Sequence, residues 1–302
     1  MTRPAGNPGR QIKQIAIIGA GTMGRGIAQV AAQYGYYPTV LCDVSREQLT
    51  NALSAIAHNM ERDVERGKLK TNERDVYLSF IRGATHLEAA CDADLYIEAV
   101  PERLELKHEV LRAVEAVAAR PFFFATNTSS LSITEIASVS RQPERVIGMH
   151  FFNPVHKMRL LELVTGQQTS AETLAAAHDV GLWLRKEVIV VRDVPGFASS
   201  RLGVALGLEA MRMLEQGVAS AKDIDTAMEL GYNHPMGPLR LTDLVGLDVR
   251  LSIAEYLHGA LGSETFRPPE ILRRMVAAGK LGKKSGEGFY KWNEEGAPER
   301  GQ

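Results

Sequence analysis

The chain has 302 residues, of which 45% are hydrophobic and 24% charged, enough for about two domains with separate cores. Its 35 Lys and Arg stand against 36 Asp and Glu, a formal net charge of -1. That balance excludes the global pull toward nucleic acid or acidic membranes that a strongly basic chain exerts. Cys42 and Cys91 are the two cysteines, too few for a disulfide framework or a zinc site, and they fit a reducing cytoplasm. Residues 1–12 are polar, with Pro and Gly. They lack a signal peptide's apolar core, no run approaches membrane-spanning length, and they read as a loose tail before the first strand.

The first half alternates short β-branched runs with helical stretches. Residues 14–19 (Q-I-A-I-I-G) predict a buried strand, 22–34 an Ala-rich helix, 38–43 (P-T-V-L-C-D) a second strand and 48–67 a long amphipathic helix. Residues 94–100 (D-L-Y-I-E-A-V) and 121–126 (P-F-F-F-A-T) predict two more strands, with a helix over 107–119 between them. Such alternation implies an α/β fold with a mainly parallel, doubly wound sheet. Residues 145–152 and 160–165 are strand-like, and the short link at Asn153-Pro154 has no room for a crossover helix, so an antiparallel pair is expected. Residues 187–192 (E-V-I-V-V-R) close the strand-rich region. Beyond it, 198–216, 222–230, 241–258 and 268–279 all read as helix. The domain boundary is therefore expected at Pro195-Gly196, with residues 1–195 forming the α/β domain and 196–302 an all-α domain. A Pro-Gly joint is compatible with a hinge.

Gly19-Ala20-Gly21-Thr22-Met23-Gly24 fits G-x-G-x-x-G between a predicted strand and a predicted helix, the context of a Rossmann-type dinucleotide site. The glycines allow a tight turn, close approach of a pyrophosphate and close helix packing, and the helix N-terminus offers free N–H groups. Asp43 ends the second strand, where an acid binds the ribose 2′-hydroxyl and repels a 2′-phosphate. NAD is thus favoured over NADP, with Arg46 a nearby cation that tempers the preference.

His150 ends one strand of the expected antiparallel pair and Glu162 lies in the other. Their midpoint, residue 156, falls inside the turn, so the two are cross-strand neighbours. A carboxylate beside an imidazole fixes its tautomer, and a poised His is the usual general base or acid. Asn127-Thr128-Ser129-Ser130 follows a parallel strand, at the edge where ligands bind. Two readings stand for its hydroxyls: bonds to substrate oxygens, or a cap for the next helix. His58, His86, His108, His156, His178, His234 and His258 show no metal-ligand spacing and read as structural or surface groups.

Five segments resemble one family: 19–26 (G-A-G-T-M-G-R-G), 127–131 (N-T-S-S-L), 148–154 (G-M-H-F-F-N-P), 233–238 (N-H-P-M-G-P) and 281–290 (L-G-K-K-S-G-E-G-F-Y). Over residues 14–292 the chain is similar to the L-3-hydroxyacyl-CoA dehydrogenases, especially the short-chain bacterial 3-hydroxybutyryl-CoA enzymes. The resemblance implies NAD-dependent oxidation of a 3-hydroxyacyl-CoA, with His150 as base, Glu162 as its orienting partner and Ser129 touching both substrate and nicotinamide. It implies NAD contacts from Glu102, Lys107 and Lys284. It points to Asn59 and Arg66 on the second helix for the CoA moiety, with Arg62 and Lys68 nearby, although composition alone reads that cluster as a solvated helix face. It also implies a homodimer through the C-terminal helices, which close the substrate site.

The family usually has Asn where this chain has Ser200, before Arg201. A serine hydroxyl is a shorter donor than an amide, and it could act after a small shift or through a water. Retained activity is expected, with Ser200 in the site. Two other readings stay open: a dehydrogenase of a free hydroxy or sugar acid on the same scaffold, which would not need Arg66, and a non-catalytic, crystallin-like NAD-binding protein.

Overall fold

A computed structural model describes residues 12–293. The chain divides between Val194 and Pro195.

The first part opens with β1 (Ile15–Ile18), α1 (Thr22–Gln33) and β2 (Thr39–Cys42). Ser45 caps α2 (Arg46–Glu65) by accepting the Gln48 N–H at 3.2 Å, the usual way a helix start satisfies an orphan donor. A second helix, α3 (Thr71–Ser79), leads into β3 (Ile81–Ala84); neither is expected from the sequence pattern. Then come β4 (Leu95–Glu98), α4 (Leu104–Val117), β5 (Phe123–Thr126), the short α5 (Ile133–Ala137) and β6 (Val146–Phe151). The part ends with β7 (Leu160–Thr165), α6 (Ala171–Trp183) and β8 (Glu187–Arg192). Strands β1, β2, β4 and β5 are buried at every position, as apolar runs covered on both faces require.

The eight strands form one sheet in the order β3-β2-β1-β4-β5-β6-β7-β8. Neighbours are parallel except β6 and β7, which are antiparallel with His150 opposite Glu162. Strand order reverses between β1 and β4, the switch point at which doubly wound sheets bind ligands. Ile12 is buried with Ile15, Ile17 and Leu41 in the core. The expected loose tail is corrected there, since burying an isoleucine is favourable; residues 1–11 of that tail lie outside the described residues.

The second part is helical: α7 (Ser199–Glu215), α8 (Ala221–Gly231), α9 (Pro238–Val245), α10 (Leu247–Leu261) and α11 (Glu270–Ala277). The single helix expected over 241–258 is two helices. Gly246, at φ 103°, separates them, in a conformation that favours glycine and ends a helix. The core holds Val204, Leu208, Met211, Leu239, Leu257 and Leu272. The buried Asp243 carboxylate accepts the Phe289 and Tyr290 N–H groups and the Trp292 indole, each at 2.9 Å, anchoring the 281–290 motif to α9. Among the described residues no helix is long and apolar enough to cross a membrane.

Candidate active site

The glycine turn lies at the carboxyl end of β1. Gly19 has φ 101°, and a Cβ there would sit 2.7 Å from the Ala99 carbonyl oxygen. A Cβ on Gly24 would come within 1.8 Å of the Gly19 oxygen, so this glycine lets α1 press onto the turn. Around a Cβ on Gly21 there is open space to 4 Å. Gly21 is also the N-cap of α1 and no side chain caps it, which leaves first-turn N–H groups available to an anion. Gly19, Gly21, Thr22, Met23 and Asp43 line a cavity of about 680 Å³ beside this turn. Asp43 accepts the Ala20 N–H at Oδ2 and the Ser45 N–H at Oδ1, both at 2.8 Å. Each oxygen keeps a lone pair for a ribose hydroxyl. These residues fit a dinucleotide: the diphosphate at the α1 start, the ribose at Asp43. His86, read from sequence as a structural or surface group, lines the same cavity.

Glu102 organises the loop after β5. Its Oε1 accepts from the Thr128 hydroxyl at 2.6 Å, from the Ser129 and Ser130 amides at 2.9 and 3.2 Å, and from the hydroxyls of Ser129 and Ser130 at 3.3 and 3.2 Å. Burial pushes its carboxyl upward, but Lys107, the Thr128 hydroxyl and the Ser129 amide outweigh that and hold it below its ordinary value. The cap on α5 is Ser132, which accepts the Glu135 N–H, so capping does not account for Ser129. Lys107 has no exposed surface; its ammonium donates to both oxygens of the buried Glu98, at 2.8 and 2.9 Å, and lies 3.4 Å from Glu102. Its donors face Glu98 and Glu102.

On β6 and β7, His150 Nδ1 lies 2.7 Å from Glu162 Oε2. Glu162 is fully buried and His150 is 7% exposed. A buried carboxylate accepting from Nδ1–H selects the tautomer whose basic lone pair is on Nε2. Phe152 packs against the imidazole, ring centres 4.4 Å apart. Asn127 Oδ1 accepts the Phe151 N–H at 2.9 Å, tying the serine loop to the strand that carries His150. Sequence reasoning missed Glu98 and Asn127 as positioning residues. A charged residue inside an apolar strand was the signal for Glu98.

Asn59, Arg62, Arg66 and Lys68 line a second cleft, of about 480 Å³, together with Lys157 and Arg185. The Asn59 amide donates to Gln29 Oε1 at 3.4 Å. In the helical part, Ser200 is half-buried in the first turn of α7. Lys284 donates to both oxygens of Asp248, at 2.5 and 2.7 Å.

A doubly wound sheet with a dinucleotide cradle at its switch point, and an imidazole–carboxylate pair on the same carboxyl edge, marks the class as a nicotinamide-dependent oxidoreductase. The family model described as 3-hydroxyacyl-CoA dehydrogenase, NAD binding domain, matches residues 14–194, and the one described as its C-terminal domain matches 196–292. The chain belongs to the 3-hydroxyacyl-CoA dehydrogenase family. It is 44% identical over 285 residues to a Bacillus subtilis (strain 168) protein named "Probable 3-hydroxybutyryl-CoA dehydrogenase", covering 94% of this chain and 99% of the relative. With a Clostridioides difficile 3-hydroxybutyryl-CoA dehydrogenase it shares 40% identity over 283 residues, 93% of this chain and 100% of the relative. The solved structure of (S)-3-hydroxybutyryl-CoA dehydrogenase from Ralstonia eutropha superposes with a TM-score of 0.91 at 39% identity, covering 94% of this chain and 100% of that one.

Proposed function

We propose that this chain oxidises short (S)-3-hydroxyacyl-CoA thioesters, 3-hydroxybutyryl-CoA foremost, to 3-oxoacyl-CoA with NAD, and runs the reverse reduction. The observation that carries this reading is the 2.7 Å bond between His150 Nδ1 and the buried Glu162 carboxylate. Bound NAD supplies the carbon that takes or returns hydride. In oxidation His150 Nε2 takes the substrate hydroxyl proton, and Glu162 stabilises the resulting imidazolium across the ladder. In reduction the same nitrogen returns the proton to the carbonyl oxygen. The Ser129 hydroxyl, held by Glu102, orients that oxygen, and the Ser200 hydroxyl is a second donor to it. Gly19, Gly21, Thr22, Met23 and Gly24 seat the diphosphate, Asp43 the ribose, Glu102 and Lys284 the remainder of NAD, and Lys107 holds Glu102 in place. Asn59 and Arg66 take the CoA moiety.

Residues 1–195 serve as the NAD domain with the catalytic His. Residues 196–302 close the substrate site and pair two copies into a homodimer, a role supported by exposed apolar residues such as Leu202, Leu230 and Tyr232. Two unbridged cysteines suit a reducing cytoplasm, and a 3-hydroxyacyl-CoA substrate suits a role in fatty acid metabolism. The test is NADH absorbance with acetoacetyl-CoA, with acetoacetate, and with NADPH as the alternative reductant. Turnover with the thioester and NADH alone supports the reading. Equal or faster turnover of free acetoacetate assigns the chain to a free hydroxy acid, and no turnover of either removes the activity.

A further inference from the structure

The helical part holds a buried charge that no acid of that part answers. Arg250, on α10, is 5% exposed, yet among the described residues its Nε has no hydrogen-bond partner. Burial alone pushes the guanidinium below its ordinary value, to about 10, with no neighbouring carboxylate pulling the other way. It is therefore a cation at neutral pH. The buried acids of the same part are committed elsewhere. Asp225 accepts the Leu239 and Arg240 N–H groups and the Tyr290 hydroxyl, and Asp243 accepts the Phe289 and Tyr290 N–H groups and the Trp292 indole. A buried cation without a counter-charge is costly to the fold, and a bound anion offsets that cost.

The side chain lies along one face of α7. Ser200, Gly203 and Gly207 share that face, at the i, i+3, i+7 spacing. A Cβ on Gly207 would sit 3.7 Å from Arg250 Nε and 3.2 Å from Thr242 Oγ1. A Cβ on Gly203 would meet Arg250 Nη1 at 3.6 Å and, among the described residues beyond its own helix, nothing else within 4 Å. The guanidinium thus runs along the two glycines with its fork toward the Ser200 end of α7, and open space lies beside Nη1. Glycine inside a helix is less favourable than alanine, and at these two positions it clears a lane for the guanidinium and for a group that meets it. Ser200 and Gly203 are separated by about 4.5 Å of helix rise, the span of roughly three carbon–carbon bonds. A planar fork with unpaired donors matches a carboxylate, which it can hold through two parallel bonds.

We propose that Arg250 is a specificity-determining residue whose guanidinium takes a carboxylate at the far end of the acyl chain, so that short 3-hydroxyacyl-CoA thioesters ending in a carboxylate are substrates beside the apolar ones. The proposal rests on the acyl-CoA reading above, in which the Ser200 hydroxyl meets the oxygen on carbon 3, and it names the chemistry of the chain beyond that carbon.

The probes are two six-carbon thioesters that differ at one end: 3-oxoadipyl-CoA carries a carboxylate where 3-oxohexanoyl-CoA carries a methyl. The readout is the ratio of their kcat/KM values, which a general loss of activity in a variant does not move. The wild type is expected to favour the carboxylated thioester by at least about tenfold, the discrimination that a charge-assisted bond to a buried group supplies. Arg250→Met keeps an apolar stem without the charge and is expected to bring the ratio to unity or below, with the change in KM. Gly203→Ala leaves Arg250 in place and adds a methyl at ordinary contact distance from Nη1. Its Tm is expected to hold or rise while the ratio falls, because the methyl takes space beside the fork. Calorimetry with adipyl-CoA and hexanoyl-CoA, which lack the oxygen on carbon 3 and cannot react, gives an arm independent of turnover. Tighter binding of adipyl-CoA that is lost in Arg250→Met supports the carboxylate site even if acetoacetyl-CoA is not turned over, an outcome that sinks only the proposed reaction. Normal turnover of acetoacetyl-CoA with a wild-type ratio near unity, or a preference unchanged in both variants, overturns the role of Arg250 alone.

Discussion

Replacing Glu162 by Gln tests the proton-transfer pair without emptying its site. The carboxylate is fully buried and 2.7 Å from His150 Nδ1, so solvent screens the pair little. A hydrogen bond to a charged group contributes about 1.5–3 kcal/mol and a neutral one about 0.5–1.5 kcal/mol. The midpoints differ by roughly 1.25 kcal/mol, which corresponds to about eightfold in rate where the imidazolium forms in the transition state. Gln can also turn its amide nitrogen toward Nδ1. That favours the other tautomer and removes the base from Nε2, a contribution of roughly 10²–10⁴ in full. The expected fall in kcat for Glu162→Gln is therefore about 10- to 100-fold, a mixture of the two amide orientations. Steady-state reduction of acetoacetyl-CoA gives kcat, and NADH fluorescence titration gives cofactor affinity. Affinity is expected to stay within about twofold of the wild type, since the change is made in transition-state stabilisation rather than in cofactor binding. Wild-type kcat in Glu162→Gln would refute the claim that this carboxylate orients and stabilises the base.

Two further perturbations separate structure from ligand binding. Gly24→Ala drives a Cβ to 1.8 Å from the Gly19 oxygen, whereas Gly21→Ala meets nothing within 4 Å. Gly24→Ala is expected to lower Tm and Gly21→Ala to keep it while weakening NADH binding, because the added methyl occupies diphosphate space; a thermal melt beside an NADH titration decides, and wild-type affinity in Gly21→Ala would contradict the cradle. Lys186 is 6% exposed and donates to the Val155 and Met158 carbonyls at 2.5 and 2.7 Å, and burial pushes it from its ordinary 10.5 down to about 8. Below pH 8 its buried charge costs stability in full. From there up to 10.5 the unfolded chain binds the extra proton, so this residue's contribution rises with pH. The urea midpoint of the wild type minus that of Lys186→Met should rise from about pH 7.5 to about pH 10, and a difference independent of pH would contradict that shift.

The pair at the centre of the site was legible because a two-residue period and a link too short for a helix leave one register for β6 and β7. The glycine turn was legible for a similar reason: the spacing of Gly19, Gly21 and Gly24 is a local backbone demand. What escaped depends on neighbours far along the chain. The strand β3 reads I-R-G-A, with no alternation, and exists because the edge of β2 takes it. The helix α6 was missed although Ser170 caps it by accepting the Thr173 N–H; its Ala-rich run has little amphipathic contrast. Glu98, Lys107 and Glu102 look like unrelated charges in sequence, and only the sheet stacks them beneath the Ser129 loop. The 241–258 stretch kept its apolar spacing through Gly246, which hid the break between α9 and α10. The cations of the second cleft come from three segments, so the sequence exposed only the three on or just beyond α2.

The most direct measurement is turnover of acetoacetyl-CoA by His150→Gln beside its affinity for NADH. In that variant kcat is expected to drop by at least about a hundredfold while NADH binds as in the wild type. Turnover near the wild-type rate with intact cofactor binding would contradict proton transfer through this imidazole.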